Sequence, residues 1–233
     1  MHKFRLLKKI IILGLILALP GFLYYLLTEK GKNRYRPLPI YGPKHLAKTS
    51  HKFHGKIIPD TIFHTIPDFN LIDQDGKPVS FKNFKKKILV VNFFYTNCPT
   101  LCHTINANVD SLSENYGKNK IVYFASVTVD PQRDKDKILK GYANKNTPLS
   151  PKRLFLTGDT TTIYNFARKG LLVDALQTSK NDFIYSNKLI LIDSERRIRG
   201  YYSGELRTDA ARLNDEIKVL IAEELRKNDK ALY

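Results

Sequence analysis

"KILVVNFFYTNCPTLCHTI", residues 87–105, decides the fold. Its first part, Lys87 to Tyr95, is a continuous apolar run rich in β-branched and aromatic side chains, which predicts a central strand buried on both faces. Beyond it, Leu101, Ile105, Val109 and Leu112 recur at helical spacing, and Gly117 is placed to stop the helix. Pro99 suits the first helical turn, where its missing N–H has no partner to lose. Both cysteines of the chain, Cys98 and Cys102, sit where the strand hands over to the helix. Open α/β sheets place their sites at such strand ends.

Residues i and i+4 lie one above the other on a helix, so the two sulfurs can approach within reach of a disulfide or of one shared metal ion. A bridge closing so short a loop constrains the unfolded chain little, which favours chemistry over stapling. The positive end of the helix dipole stabilises a thiolate there. Two thiolates form a soft donor set, suited to Cu(I) or Zn(II). The plainer alternative, two buried free cysteines acting as small hydrophobes, accounts less well for their shared helix face. A third ligand would normally be an imidazole. His103 adjoins Cys102 but points about 100° away around the helix, so it joins the site only if the first turn is irregular. His2, His45, His51, His54 and His64 all precede the strand.

Outward from this segment, strands and helices alternate. "FNLI", "DQDGK" and "PVSF" (residues 69–81) read as a hairpin with an Asp-Gly turn. Residues 120–130 are a second buried strand, 131–146 a charged helix with Ile138, Leu139 and Tyr142 turned inward, and 153–159 a short strand and turn. Residues 160–170 form a helix capped by Asp159 or Thr160 and closed by Gly170. A second hairpin turns at "DSER" (193–196), and residues 207–227 form an amphipathic terminal helix. The order implies an α/β layered fold, a central mixed sheet flanked by helices.

The N-terminus divides the chain further. Residues 1–9 are basic, and residues 10–27 carry no charge. Eighteen helical residues reach about 27 Å, enough for a thin bilayer, and no small-residue cleavage site follows. The expectation is one uncleaved transmembrane helix, with Lys3, Arg5, Lys8 and Lys9 on the cytoplasmic side. Residues 28–56, polar with three prolines, read as a linker, and residues 57–233 as the folded domain. The net charge of +17 favours anionic partners. The lysines are nevertheless spread along the chain without an Arg-rich tract or a nucleic-acid motif, so a solvated basic surface and no nucleic-acid partner are expected.

Several of these segments together resemble the Sco/SenC family of membrane-anchored copper chaperones: "FFYTNCPTLC", "SVTVDPQRDKDKILKGYA", "LFLTGD" and the lead-in "IPDFNLIDQDGKPVSF". The resemblance covers roughly residues 66–225 and implies a thioredoxin-like fold. It implies that Cys98 and Cys102 are copper ligands, for Cu(I) or Cu(II), and a redox pair. It also implies a partner in the copper-bearing subunit of cytochrome c oxidase, or another thiol- or copper-handling protein. The implied location is the cytoplasmic membrane of a bacterium, with the domain facing the periplasm or exterior. The family carries a histidine ahead of a late strand. Counting back from "LID" (191–193) puts Tyr185 at that position, and no histidine follows His103. A phenol is a poor Cu(I) ligand. Three functions stay open: a copper chaperone, a membrane-anchored thiol–disulfide oxidoreductase acting through Cys98 and Cys102 without copper, and a non-catalytic binding module.

Overall fold

The computed structural model describes residues 2–26, 37–53, 55–98, 101–146, 152–179 and 182–230. The chain divides into two compact units, Met1–Arg36 and Pro37–Tyr233. The first contains one helix, α1 (His2–Tyr25), with Pro20 inside it. Among the described residues no helix is long and apolar enough to cross a membrane. The uncharged part of α1 begins at Ile10 and ends with the helix at Tyr25. Leu26 follows in a π-helical turn, and residues 27–36 lie outside the described residues. The transmembrane span expected over residues 10–27 is therefore not met by the described helix.

The second unit begins earlier than residue 57. Leu38 N–H donates to Glu223 Oε1 at 2.7 Å, and the buried Arg199 guanidinium donates to the carbonyls of Leu38 and Pro39. Strands β1 (Lys44–Phe53) and β2 (Lys56–Phe63) then form a two-stranded antiparallel ribbon. Much of the expected linker is thus folded, because Thr49, Thr61 and the isoleucines of the second arm suit strands. Residues 28–36 and His54 lie outside the described residues.

The remaining elements are β3 (Leu71–Asp73), β4 (Pro78–Val79), β5 (Ile88–Phe94), α2 (Leu101–Asn115), β6 (Val122–Thr128), α3 (Asp136–Asn146), β7 (Arg153–Thr157), α4 (Thr160–Asn165), β8 (Ala175–Ser179), β9 (Asp182–Tyr185), β10 (Lys188–Ile192), β11 (Ile198–Ser203) and α5 (Arg207–Lys230). Seven strands form one mixed sheet in the order β11-β10-β5-β6-β7-β3-β4, with β5, β6 and β7 parallel. Every residue of β5 is buried, as expected of a strand covered on both sides. Ile88 and Val90 meet α2 and α5 through Ile105, Val109, Leu213 and Ile217. Leu89, Val91 and Phe93 face the opposite layer, with Ile163 and Phe166. The helix expected over 160–170 splits: Asp159 caps α4 by accepting from Thr162 N–H, and Phe166–Gly170 continues as a π-helical turn. The helix expected from residue 131 starts instead at Asp136, because residues 131–135 form turns closed by Arg133 and Asp134 N–H groups on the Asp130 carbonyl.

Candidate redox and metal site

Strand β5 ends beside the neighbouring β6, and the chain turns through Thr96 and Asn97 to reach Cys98. One residue from a distant loop holds that turn. The buried Asp134 carboxylate accepts from Thr96 N–H at 2.9 Å, Thr96 Oγ1 at 2.5 Å and Thr128 Oγ1 at 2.5 Å. Burial pushes the Asp134 pKa up despite these donors. Three donors on one carboxylate fix both the strand end and the start of the next loop, so the backbone ahead of Cys98 has little freedom.

Cys98 and Cys102 are joined as a disulfide, with Cα atoms 6.0 Å apart. Cys102 is buried in the first turn of α2, whereas Cys98 is half-exposed. Pro99 and Thr100 lie outside the described residues. Tyr185, the last residue of β9, reaches over the pair: its Oη lies 3.3 Å from Cys98 Sγ and 3.0 Å from Cys102 Sγ. Disulfide sulfurs carry no hydrogen, so the phenol donates. Its ring packs edge-on against Tyr95, centroids 5.8 Å apart. Burial, reinforced by Tyr95, Tyr142 and Glu205, pushes the Tyr185 phenol up to about 12. At neutral pH it is therefore a protonated hydrogen-bond donor, and the phenolate needed for metal ligation is scarce.

Behind the sulfurs runs a polar chain. Asn106, one helical turn beyond Cys102 on the same face, donates to Tyr142 Oη at 2.6 Å and accepts from Arg153 at 2.6 Å. The buried Arg153 also donates to Asp110 Oδ1 at 2.6 Å and Ser126 Oγ at 2.9 Å. These contacts fix α2, and with it Cys102, on the sheet.

His103 is exposed beside the buried Cys102. His51 pairs with Asp60, and His64 Nε2 donates to the Gly170 carbonyl. Among the described residues no group of three or more His, Cys, Asp or Glu side chains converges on a metal position. The soft donors present are two sulfurs, which become thiolates only after two-electron reduction. That pair suits a monovalent soft ion such as Cu(I) better than a hard cation.

Thr96, Asp134, Asn106, Arg153 and Tyr142 were not singled out from the sequence as site residues. The single available signal was a charge inside a buried strand, Arg153 at the head of "RLFLT".

The fold and site define a thioredoxin-like protein with a strand-end cysteine pair. A model of the SCO1/SenC family matches residues 60–222, and the chain belongs to that family. It is similar to a SCO1/SenC family lipoprotein from Bacillus anthracis, at 30% identity and a TM-score of 0.63, covering 67% of this chain and 95% of that one. It is also similar to BsSco, described as a member of the Sco family of cytochrome c oxidase assembly proteins with a disulfide switch, at 29% identity and a TM-score of 0.59, covering 66% and 91%. Arabidopsis thaliana ScoI, solved with copper bound, matches at 25% identity and a TM-score of 0.57, covering 70% and 99%.

Proposed function

We propose that this chain is a dithiol–disulfide protein of cytochrome c oxidase assembly, exchanging electrons with the cysteines that receive copper. The observation that carries this reading is the pair Cys98–Cys102 under a single protonated phenol, Tyr185. In the reduced form Cys98, the more accessible sulfur, attacks a partner disulfide. A mixed disulfide forms and one partner thiolate leaves. The Cys102 thiolate then attacks Cys98, re-forming the intramolecular disulfide and releasing the second partner thiolate, so two electrons reach the partner. A dithiol donor restores the reduced pair. Tyr185 Oη–H stabilises the thiolates by hydrogen bonding without being consumed.

Cu(I) as cargo is the second reading, favoured by the likeness to a copper-bound relative and by the two convergent sulfurs. Cys98 and Cys102 would hold it, with the Tyr185 hydroxyl as a hydrogen-bond donor to sulfur; His103 would enter only after the first turn rearranged.

The test is to reduce the protein, titrate it with Cu(I) against a chelator, and separately mix it with a disulfide-bonded peptide bearing the oxidase's copper-ligating cysteines. Peptide reduction with stoichiometric closure of Cys98–Cys102, abolished in Cys98→Ser, supports the exchange reading. A reduced protein that binds Cu(I) but leaves the peptide oxidised overturns it in favour of copper delivery.

Membrane attachment through α1 belongs to the same proposal. Ile12, Leu13, Ile16, Leu17, Leu19 and Phe22 are all more than half exposed, and an apolar phase would cover them. Sedimentation of the full chain with membranes, lost when it starts at Pro37 and is assayed in high salt, is the expected result.

A further inference from the structure

The β1–β2 ribbon is unlike the rest of the second unit. Among the described strands it pairs with no other sheet. Of its described side chains between Lys44 and Phe63, all but Ala47, Asp60 and Phe63 are exposed. Leu46 is 73% exposed, Ile57 69% and Ile62 56%. A lone two-stranded ribbon is marginal in water, so one holding this much apolar surface in solvent is suited to being covered.

Its register and charge say by what. Directly opposed residues of an antiparallel pair share a face. Lys44 opposes Phe63, Leu46 opposes Thr61, Ser50 opposes Pro59 and Lys52 opposes Ile57. One face therefore combines the exposed Leu46, Ile57 and Pro59 with Lys44 and Lys52, while Phe63 at its end is half-buried beneath the Lys44 ammonium and the Arg197 guanidinium. Lys48 and Lys56 add to the ribbon's charge, and its one acid, Asp60, lies 2.6 Å from His51 Nδ1. Lysine stems can lie along apolar surface while their ammonium groups reach a polar boundary. Apolar tips between lysines, on a ribbon about 30 Å long, complement a surface that is anionic outside and hydrocarbon beneath.

We propose that this face of the β1–β2 ribbon docks on an anionic phospholipid surface. The contact is independent of α1 and of the cysteine chemistry. It would hold the domain by a second point and so limit its orientations at the membrane.

The test uses residues 37–233, a compact unit with its own cores, and vesicles of phosphatidylcholine with or without phosphatidylglycerol. Binding is expected only to the anionic vesicles, weakening as salt rises. Each lysine near such a surface contributes about fivefold, so Lys44→Gln/Lys52→Gln should weaken binding roughly twenty- to thirtyfold. Leu46→Asp/Ile57→Asp should weaken it further while the rate of disulfide reduction, read as a check on the fold, stays unchanged. Absence of binding to anionic vesicles overturns the proposal. So does binding that neither double variant alters, which would assign lipid affinity to the remaining basic surface. Concentration-dependent dimerisation without lipid, abolished by Leu46→Asp/Ile57→Asp, would also overturn it by making a second copy the occupant.

Discussion

Removing one oxygen tests the role of Tyr185. In Tyr185→Phe the ring keeps its packing on Tyr95, and the hydroxyl that lies 3.0 and 3.3 Å from the two sulfurs is lost. A hydrogen bond to a charged group contributes about 1.5–3 kcal/mol, against about 0.5–1 for one to a weak neutral acceptor such as a disulfide sulfur. The reduced, thiolate form therefore loses more, by roughly 1–2 kcal/mol. For a two-electron couple 30 mV is about 1.4 kcal/mol, so the midpoint should fall by roughly 20–45 mV. The phenol, pushed up to about 12, stays protonated over the whole accessible range, so its own ionisation does not mask the effect. The assay is equilibration in glutathione buffers of graded potential, followed by acid quench and alkylation. Repeating it at a pH where both thiols are protonated should shrink the difference. An unchanged midpoint, or a shift to higher potential, would refute the view that Tyr185 stabilises thiolate.

Replacing the phenol by an imidazole, Tyr185→His, should raise Cu(I) affinity of the reduced protein at least tenfold in chelator competition, because a third soft-compatible ligand lands over two positioned sulfurs. His103→Ala should leave affinity unchanged, since His103 is exposed beside the buried Cys102; a loss there instead would show that His103 completes the site. Asp134→Ala removes three hydrogen bonds from a buried turn and should cost about 3 kcal/mol in urea unfolding, with faster alkylation of Cys98 once the turn ahead of it loosens. Burial, with the Asp215 carboxylate, pushes Tyr116 up to about 12, whereas an unfolded phenol titrates near ~10. The stability tied to that shift is complete below about pH 10 and is lost as pH rises through about 12. Tyr116→Phe loses the contacts with Asn214 and should be about 1–2 kcal/mol less stable near neutral pH, and urea unfolding at about pH 11 should show that gap closing.

The elements around the site were legible because their signals are local. The apolar run 88–94 and the helical spacing of Ile105, Val109 and Leu112 each follow from one period repeated in adjacent residues, and together they placed Cys98 and Cys102 at a strand-to-helix junction. The Asp-Gly turn and "DSER" likewise announced hairpins that β3–β4 and β10–β11 form. The first arm of the ribbon and its turn, residues 44–56, were read as linker because lysines and polar residues there suit solvent, and their pairing depends on a second strand that is itself exposed. The β8–β9 hairpin also went unread, although its end delivers Tyr185 to the sulfurs.

What the sequence alone determined is the architecture of alternating strands and helices and the i, i+4 cysteine pair at the end of a central strand. Periodicity and helix geometry suffice for both, since each is written within about twenty residues. The family resemblance had already pointed to Tyr185, but only the tertiary structure decided how it and the other groups surround the sulfurs. Tyr185 lies 83 residues from Cys102, Asp134 lies 38 from Thr96, and Arg153 lies 47 from Asn106. Contacts of that separation depend on strand order and register, here β10 beside β5 and β7 beside β6, and such pairing leaves no trace in local spacing. The same holds for the phenol's pKa. A tyrosine is read from sequence as ionising near ~10 and is protonated at neutral pH in either case; burial in the folded chain raises Tyr185 to about 12 and so extends its role as hydrogen-bond donor to sulfur into alkaline solution.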